Sequence, residues 1–243
     1  MSEPVDEIEL VPPSGYRVAA RALLLSAITC RSGIDGMAGD AQAEQLNARI
    51  LDWLTRLEIG DEIERHEREL LIKPLGELTE EERVDASWQS EGLVILAWAL
   101  QLAEPPPFDV QVDPVSVTDK LGFLTDQARR VLAAPNLRDA AELDMCGERQ
   151  FAVYWRLRTF ARDRRRIDFA EAAKGDAPDS EFGPMVIDGL PLIGGDLALK
   201  SRPLFQAEES DWRTALAIAE ERLRAAYWLC GYKRKYSEIH PGE

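Results

Sequence analysis

The chain has 243 residues, 45% of them apolar, and its 44 acidic against 29 basic side chains give a formal net charge of -15 at neutral pH. That length lies near the upper limit for one hydrophobic core, and the apolar share is that of a folded globular protein. So large a negative charge repels phosphate backbones and anionic lipid, which excludes nucleic acid and a membrane surface as expected partners.

The longest unbroken apolar run, residues 93–100, is stopped by Gln101, far short of the roughly eighteen residues that cross a bilayer. The opening MSEPVDEIEL is acidic and holds Pro4, whereas a secretory leader starts positive and continues apolar. A cytoplasmic location is therefore expected. Cys30, Cys146 and Cys230 are odd in number, far apart and in no metal-type spacing, so neither a disulfide framework nor a zinc site is expected. Each sits in an apolar helical pattern, the setting of a buried, unreactive thiol.

After an expected flexible tail over residues 1–13, Ser14 caps a helix running through GYRVAARALLLSAITC. The stretch GIDGMAGD (33–40) reads as a flexible connection. A second helix follows, with Leu46, Ile50, Trp53, Leu54 and Leu57 on one face. Gly60 and Asp61 look like its stop and the cap of a new element. Thr79 and Glu82 then form a T-x-x-E capping box, and the helix it opens is predicted to reach Ala103. Pro105, Pro106 and Pro107 end it, because proline lacks the amide hydrogen and forces its predecessor out of helical angles.

Shorter helical patterns over 117–124 and 125–133 lead to a long one over 138–165 that carries Met145, Phe151, Tyr154, Trp155 and Phe160. Residues 174–203 turn rich in Gly, Pro and Asp, which predicts loops and one short β-hairpin within 190–206. A last helix starts at Ser210 or Asp211 with Trp212, Leu216, Ala219, Leu223, Ala226 and Cys230 on one face, and stops at Gly231. The expected fold is mainly α, a multi-helix single globular domain over 14–236 with a C-terminal tail over 237–243.

Three stretches together resemble a known family. They are ARALLLSAITCRSG near the start, ASWQSEGLVILAWALQL in the middle, and GGDLALKSRPLFQA followed by AIAEERLRAAYWLCGY near the end. Their order and spacing are similar to those of a largely bacterial group, the domain of unknown function family 4272 (DUF4272). The resemblance runs from Arg17 to about Tyr232, and its most specific parts are W-x-x-E-G-L-x-x-L-x-W-A-L and E-R-x-x-A-x-x-W-L. It implies one helical domain and carries no activity, cofactor or catalytic residue with it.

Proton transfer near neutral pH usually falls to histidine, and the only two are His66 and His240. Glu62, His66 and Glu69 have the spacing of one helical face and could offer a nitrogen and two carboxylates to a cation. The alternating charges of DEIERHEREL read instead as a solvated helix, so no metal is expected. Glu91 enters the apolar 92–100 stretch three residues after Trp88. One reading pairs it with Arg21, Arg31 or Arg222 to fix helix register. The other makes it the floor of a ligand pocket with Trp88 as a wall and Arg222 nearby. Glu221, Arg222 and Trp228 on the last helix face the same choice.

The run Arg156, Arg158, Arg162, Arg164, Arg165 and Arg166 could cradle an anion or serve its own helix end and nearby carboxylates. GIDGMAGD lacks the ending of a phosphate loop, and no G-x-S-x-G is present. No cofactor and no catalytic residue is expected. Two functions stay open: a non-catalytic protein-interaction or regulatory module, of the kind that confers immunity, and a small-ligand binder or enzyme built around Trp88, Glu91 and Arg222.

Overall fold

The structure, a computed structural model, describes residues 10–175 and 183–241. Four long helices stand in a row: α1 (Gly15–Ile34) packs on α4 (Glu80–Ala99), α4 on α9 (Glu209–Leu229), and α9 on α7 (Ala140–Arg162). With a neighbour on two sides, α4 buries every residue from Ser90 to Ala97. This is why its sequence is apolar all round instead of striped. Smaller helices, α2 (Ala41–Leu57), α3 (Arg65–Ile72), α5 (Pro114–Leu121) and α6 (Gln127–Ala133), cover the α1 end of the row.

A second apolar cluster lies at the other end. There α7 and α9 meet α8 (Phe169–Ala172) and a small sheet of β1 (Leu192–Ile193), β2 (Asp196–Leu199) and β3 (Arg202–Pro203). Tyr227 packs against both clusters. The molecule is thus mainly helical, as the periodicity predicts. Among the described residues no helix is long and apolar enough to cross a membrane.

The caps predicted at Ser14 and Thr79 are present. Ser14 Oγ accepts from the Arg17 amide at 3.3 Å, and Thr79 and Glu82 bond reciprocally to each other's amides at 3.1 and 2.9 Å. Several boundaries differ, each for a local reason. α4 stops at Ala99 and not Ala103, because Gln101 turns to φ 60° and its amide and that of Leu102 bond back to Trp98 and Ala97, a left-handed close that ends the helix before the prolines. α7 is shorter than 138–165: Asp139 caps its start at 2.9 Å, and Asp163 leaves helical angles at its end. Glu64, not Asp61, opens α3 through a reciprocal bond with Glu67.

The 33–40 connection is not a flexible one throughout. Asp35 is buried, accepts from Arg31 at 2.6 Å and from the Gly76 amide at 3.0 Å, and so ties the turn after α1 to the loop before α4. The one expected hairpin is two in succession, β1 with β2 and β2 with β3, both antiparallel. Their two-residue turns, Gly194-Gly195 and Lys200-Ser201, all take positive φ, the geometry that matches strand twist. The packed chain also passes both expected tail boundaries. The Val11 amide donates to the Gly231 carbonyl at 3.2 Å, and Ile239 is a core residue; residues 1–9 of the N-terminal tail lie outside the described residues.

Candidate functional site

Glu91 sits in the α4–α9 seam with both oxygens engaged. Oε1 accepts from the Val112 amide at 2.9 Å, and Oε2 accepts from Arg222 at 2.8 and 3.0 Å. Arg222 also donates to the carbonyls of Pro106, Pro107 and Val110 at 3.0–3.2 Å. Of the three possible partners, then, Glu91 takes Arg222. Arg21 pairs with Glu67 and Arg31 with Asp35, each at 2.6 Å. Both oxygens of the Glu91 carboxylate are engaged by the protein, so the pair fixes the proline segment against the helix row.

A different part of the same seam holds a cavity of about 420 Å³, at the small end of ligand-site volumes. α4 supplies Asp85, Trp88 and Gln89, and α9 supplies Ala217, Glu220, Glu221 and Arg224. Within each helix these positions recur at spacings of three and four, which puts them on one face. His66 and Glu67 of α3, with Tyr236 and Ser237 beyond α9, complete the wall.

Three lining residues keep a buried polar atom with no hydrogen-bond partner: Glu221 Oε2, Gln89 Oε1 and Tyr236 Oη. The other oxygen of Glu221 meets Arg224 at 2.7 Å. Burial pushes the Glu221 carboxyl up to about 7; Arg224 opposes this, and Glu220, Asp85 and Glu91 reinforce it. Tyr236 is 4% exposed, and burial raises its hydroxyl above the ordinary phenol range, with Glu221 adding to the effect. Its hydroxyl reaches α4 where that helix has Gly92: a β-carbon there would overlap the oxygen.

The five candidate residues are thereby divided. Trp88 and Glu221 line the α4–α9 cavity. Arg222 borders another cavity, of about 810 Å³, beside Pro105, Pro106 and Pro107. Glu91 lines neither. The pocket expected around Trp88, Glu91 and Arg222 is not assembled, because the Glu91–Arg222 pair is turned toward the proline segment. Trp228 is fully buried, donates to the Arg234 carbonyl at 3.3 Å and meets the Tyr236 ring edge-on at 5.8 Å. It backs the cavity wall without forming it.

Asp85, Gln89, Glu220, Arg224 and Tyr236 were not singled out from sequence. The signal that could have found them is the polar i, i+3, i+4 spacing on both helices; nothing local announces that Tyr236 returns to α4.

The remaining candidates have other uses. Glu62 lies in a turn before α3 and bonds Arg17 at 2.6 Å, so it does not share a helix face with His66 and Glu69. Among the described residues no group of His, Cys, Asp and Glu could hold a metal ion. The arginine run is dispersed. Arg156 is fully buried and doubly bonded to Asp196 at 2.6 and 2.7 Å, Arg158 donates to the Tyr154 hydroxyl, and Arg164 stacks over Trp212 at 4.5 Å. The three cysteines are free, and burial pushes the Cys146 and Cys230 thiols up to about 11 and 12, well away from a reactive thiolate.

Comparison with known proteins adds a family and no activity. The profile of the domain of unknown function DUF4272 matches residues 4–173, which reaches from before α1 through α8. No curated protein and no solved structure gives a significant match. The matched stretch stops short of the resemblance traced to Tyr232, so the α4 wall of the cavity falls inside it and the α9 wall beyond it. Over more than half of its length the chain fits that profile, and it belongs to the DUF4272 family.

Proposed function

We propose that the chain is a non-catalytic binding protein whose ligand enters the cavity bounded by Trp88, Gln89, Glu221 and Tyr236. One observation carries this reading: of the ten buried side-chain polar atoms without a hydrogen-bond partner among the described residues, three belong to residues that border this one cavity. Native interiors satisfy the large majority of such atoms, and each one left bare costs about 1–3 kcal/mol, so three at one cavity are a concentrated cost. A bound polar molecule supplies the missing bonds. The net charge of -15 suits a cytoplasmic regulatory or immunity-like module that meets a basic partner protein.

A second reading has one observation in its favour. A carboxyl titrating near 7 is matched to general acid–base work at neutral pH, so Glu221 would be the proton-transfer group of an enzyme. Binding without turnover of the ligand separates the two.

Thermal unfolding in the presence of cationic, neutral and anionic small molecules tests the proposal. At least one charge class is expected to raise the melting temperature saturably in the wild type and not in Ala217→Phe, whose ring obstructs the cavity. Equal responses in both proteins would contradict it.

A further inference from the structure

We infer that the α4–α9 cavity receives a guanidinium group, bound by Glu221 and Gln89 and laid against the Trp88 ring. The inference rests on the reading of this cavity as a binding site and adds the chemistry of what it holds.

The unpartnered atoms decide the polarity of the ligand. Glu221 Oε2 and Gln89 Oε1 are closed to solvent in the unliganded chain; once a turn of either side chain brings them to the cavity they only accept when the acid is ionised, so the partners they take there are donors. The charge around them agrees. Asp85, Glu220, Glu221 and Glu67 line the cavity against Arg224 and His66. Glu67 is already spent on Arg21 at 2.6 Å, and Arg224 on the other Glu221 oxygen at 2.7 Å. Asp85 and Glu220 keep the surplus negative. An anion would meet these carboxylates and leave both acceptors bare.

Shape favours guanidinium over ammonium. The acceptors stand on two helices, Gln89 on α4 and Glu221 on α9, and a planar fork with five donors spans separated acceptors where a compact ammonium concentrates on one. Trp88 is half-buried in the wall, and its indole face is the best aromatic partner for a flat cation.

Binding is coupled to protons. Glu221 is held toward its neutral form by burial and by Asp85, Glu91 and Glu220, while Arg224 draws it the other way. Glu67 and His66 on α3 and the Tyr236 hydroxyl complete its charged and titratable surroundings. A bound cation favours the ionised carboxylate, so a proton leaves as the ligand enters and affinity rises with pH through neutrality.

Titration calorimetry with butylguanidinium, butylammonium and neutral butylurea, at pH 6 and pH 8, tests this on the full chain. Butylguanidinium is expected to bind at least about tenfold more tightly than butylurea and more tightly at pH 8 than at pH 6, with Glu221→Gln losing about tenfold or more. Tyr236→Phe, which leaves the carboxylate in place, is expected to keep the preference for charge. N-acetylarginine methylamide identifies the source: tighter binding of that probe points to an arginine side chain of a partner, and tighter butylguanidinium binding to a free metabolite. Butylurea binding as well as butylguanidinium, lost in Ala217→Phe, would overturn the guanidinium assignment and leave the cavity a binding site. Silence from every probe, with no stabilising compound of any charge class, would overturn both.

Discussion

Glu91 and Glu221 are carboxylates in the same helix seam, and their different roles follow from how many donors reach each. Glu91 has Arg222 and the Val112 amide; Glu221 has Arg224 on one oxygen and nothing on the other. Glu91→Gln leaves Arg222 buried without its counter-charge. It is expected to lower stability by about 3–5 kcal/mol in chemical denaturation while leaving occupation of the cavity intact.

Glu221 predicts a pH effect instead. The folded chain titrates this group near 7, against an ordinary value of 4.5, so between those values the folded state holds the proton and the unfolded state releases it. The stability it contributes is full below the lower value and is lost as pH rises through the upper one. Between pH 4.5 and 8 the difference in unfolding free energy should therefore move in favour of Glu221→Gln, by on the order of 3 kcal/mol. A pH-independent difference between the two proteins would count against the buried, proton-holding carboxyl. At this scale the Glu91 pair was readable, since an isolated carboxylate in an apolar run demands an arginine. Glu221 was a candidate from its place on the last helix, but its shortage of donors was not readable, because its surroundings depend on residues from α3 and from beyond α9.

At the scale of elements, close approach is what builds the cavity's inner wall. α4 presents Gly92 where the Tyr236 hydroxyl arrives, and Tyr236 is held there by the Trp228 ring and by its amide bond to Glu64 at 2.8 Å. Gly92→Ala forces these apart and is expected to cost about 1–3 kcal/mol. Adding Tyr236→Phe removes the clashing oxygen and should recover part of that loss, a coupling that a double-mutant cycle measures. Additive effects would show that the two do not touch.

The helices themselves were legible from Ser14, the Thr79–Glu82 box and the repeating apolar positions. The second hairpin was not. Lys200 and Ser201 take left-handed angles without glycine, held partly by the bond from the Lys200 amide to Asp109 at 2.8 Å, a long-range contact that no local pattern reveals. The same holds for Arg156, an apparent member of a surface run, whose partner Asp196 is brought in by the sheet.

Across the whole molecule, the row α1–α4–α9–α7 gives the chain two apolar clusters and one polar gap between its central helices. The family match spans α1 through α8, so half of that gap is family scaffold and half is contributed by the region after it. Composition gave the net charge and no hint of the gap, since carboxylates are too numerous for a few to stand out. Binding at the gap depends on the Glu221 carboxyl being dry and short of donors. Carbon-13 NMR of the Glu221 carboxyl, with and without butylguanidinium, measures this directly: a midpoint near 7 that falls when the cation is added is expected. A midpoint at the ordinary glutamate value, unmoved by the cation, would contradict it.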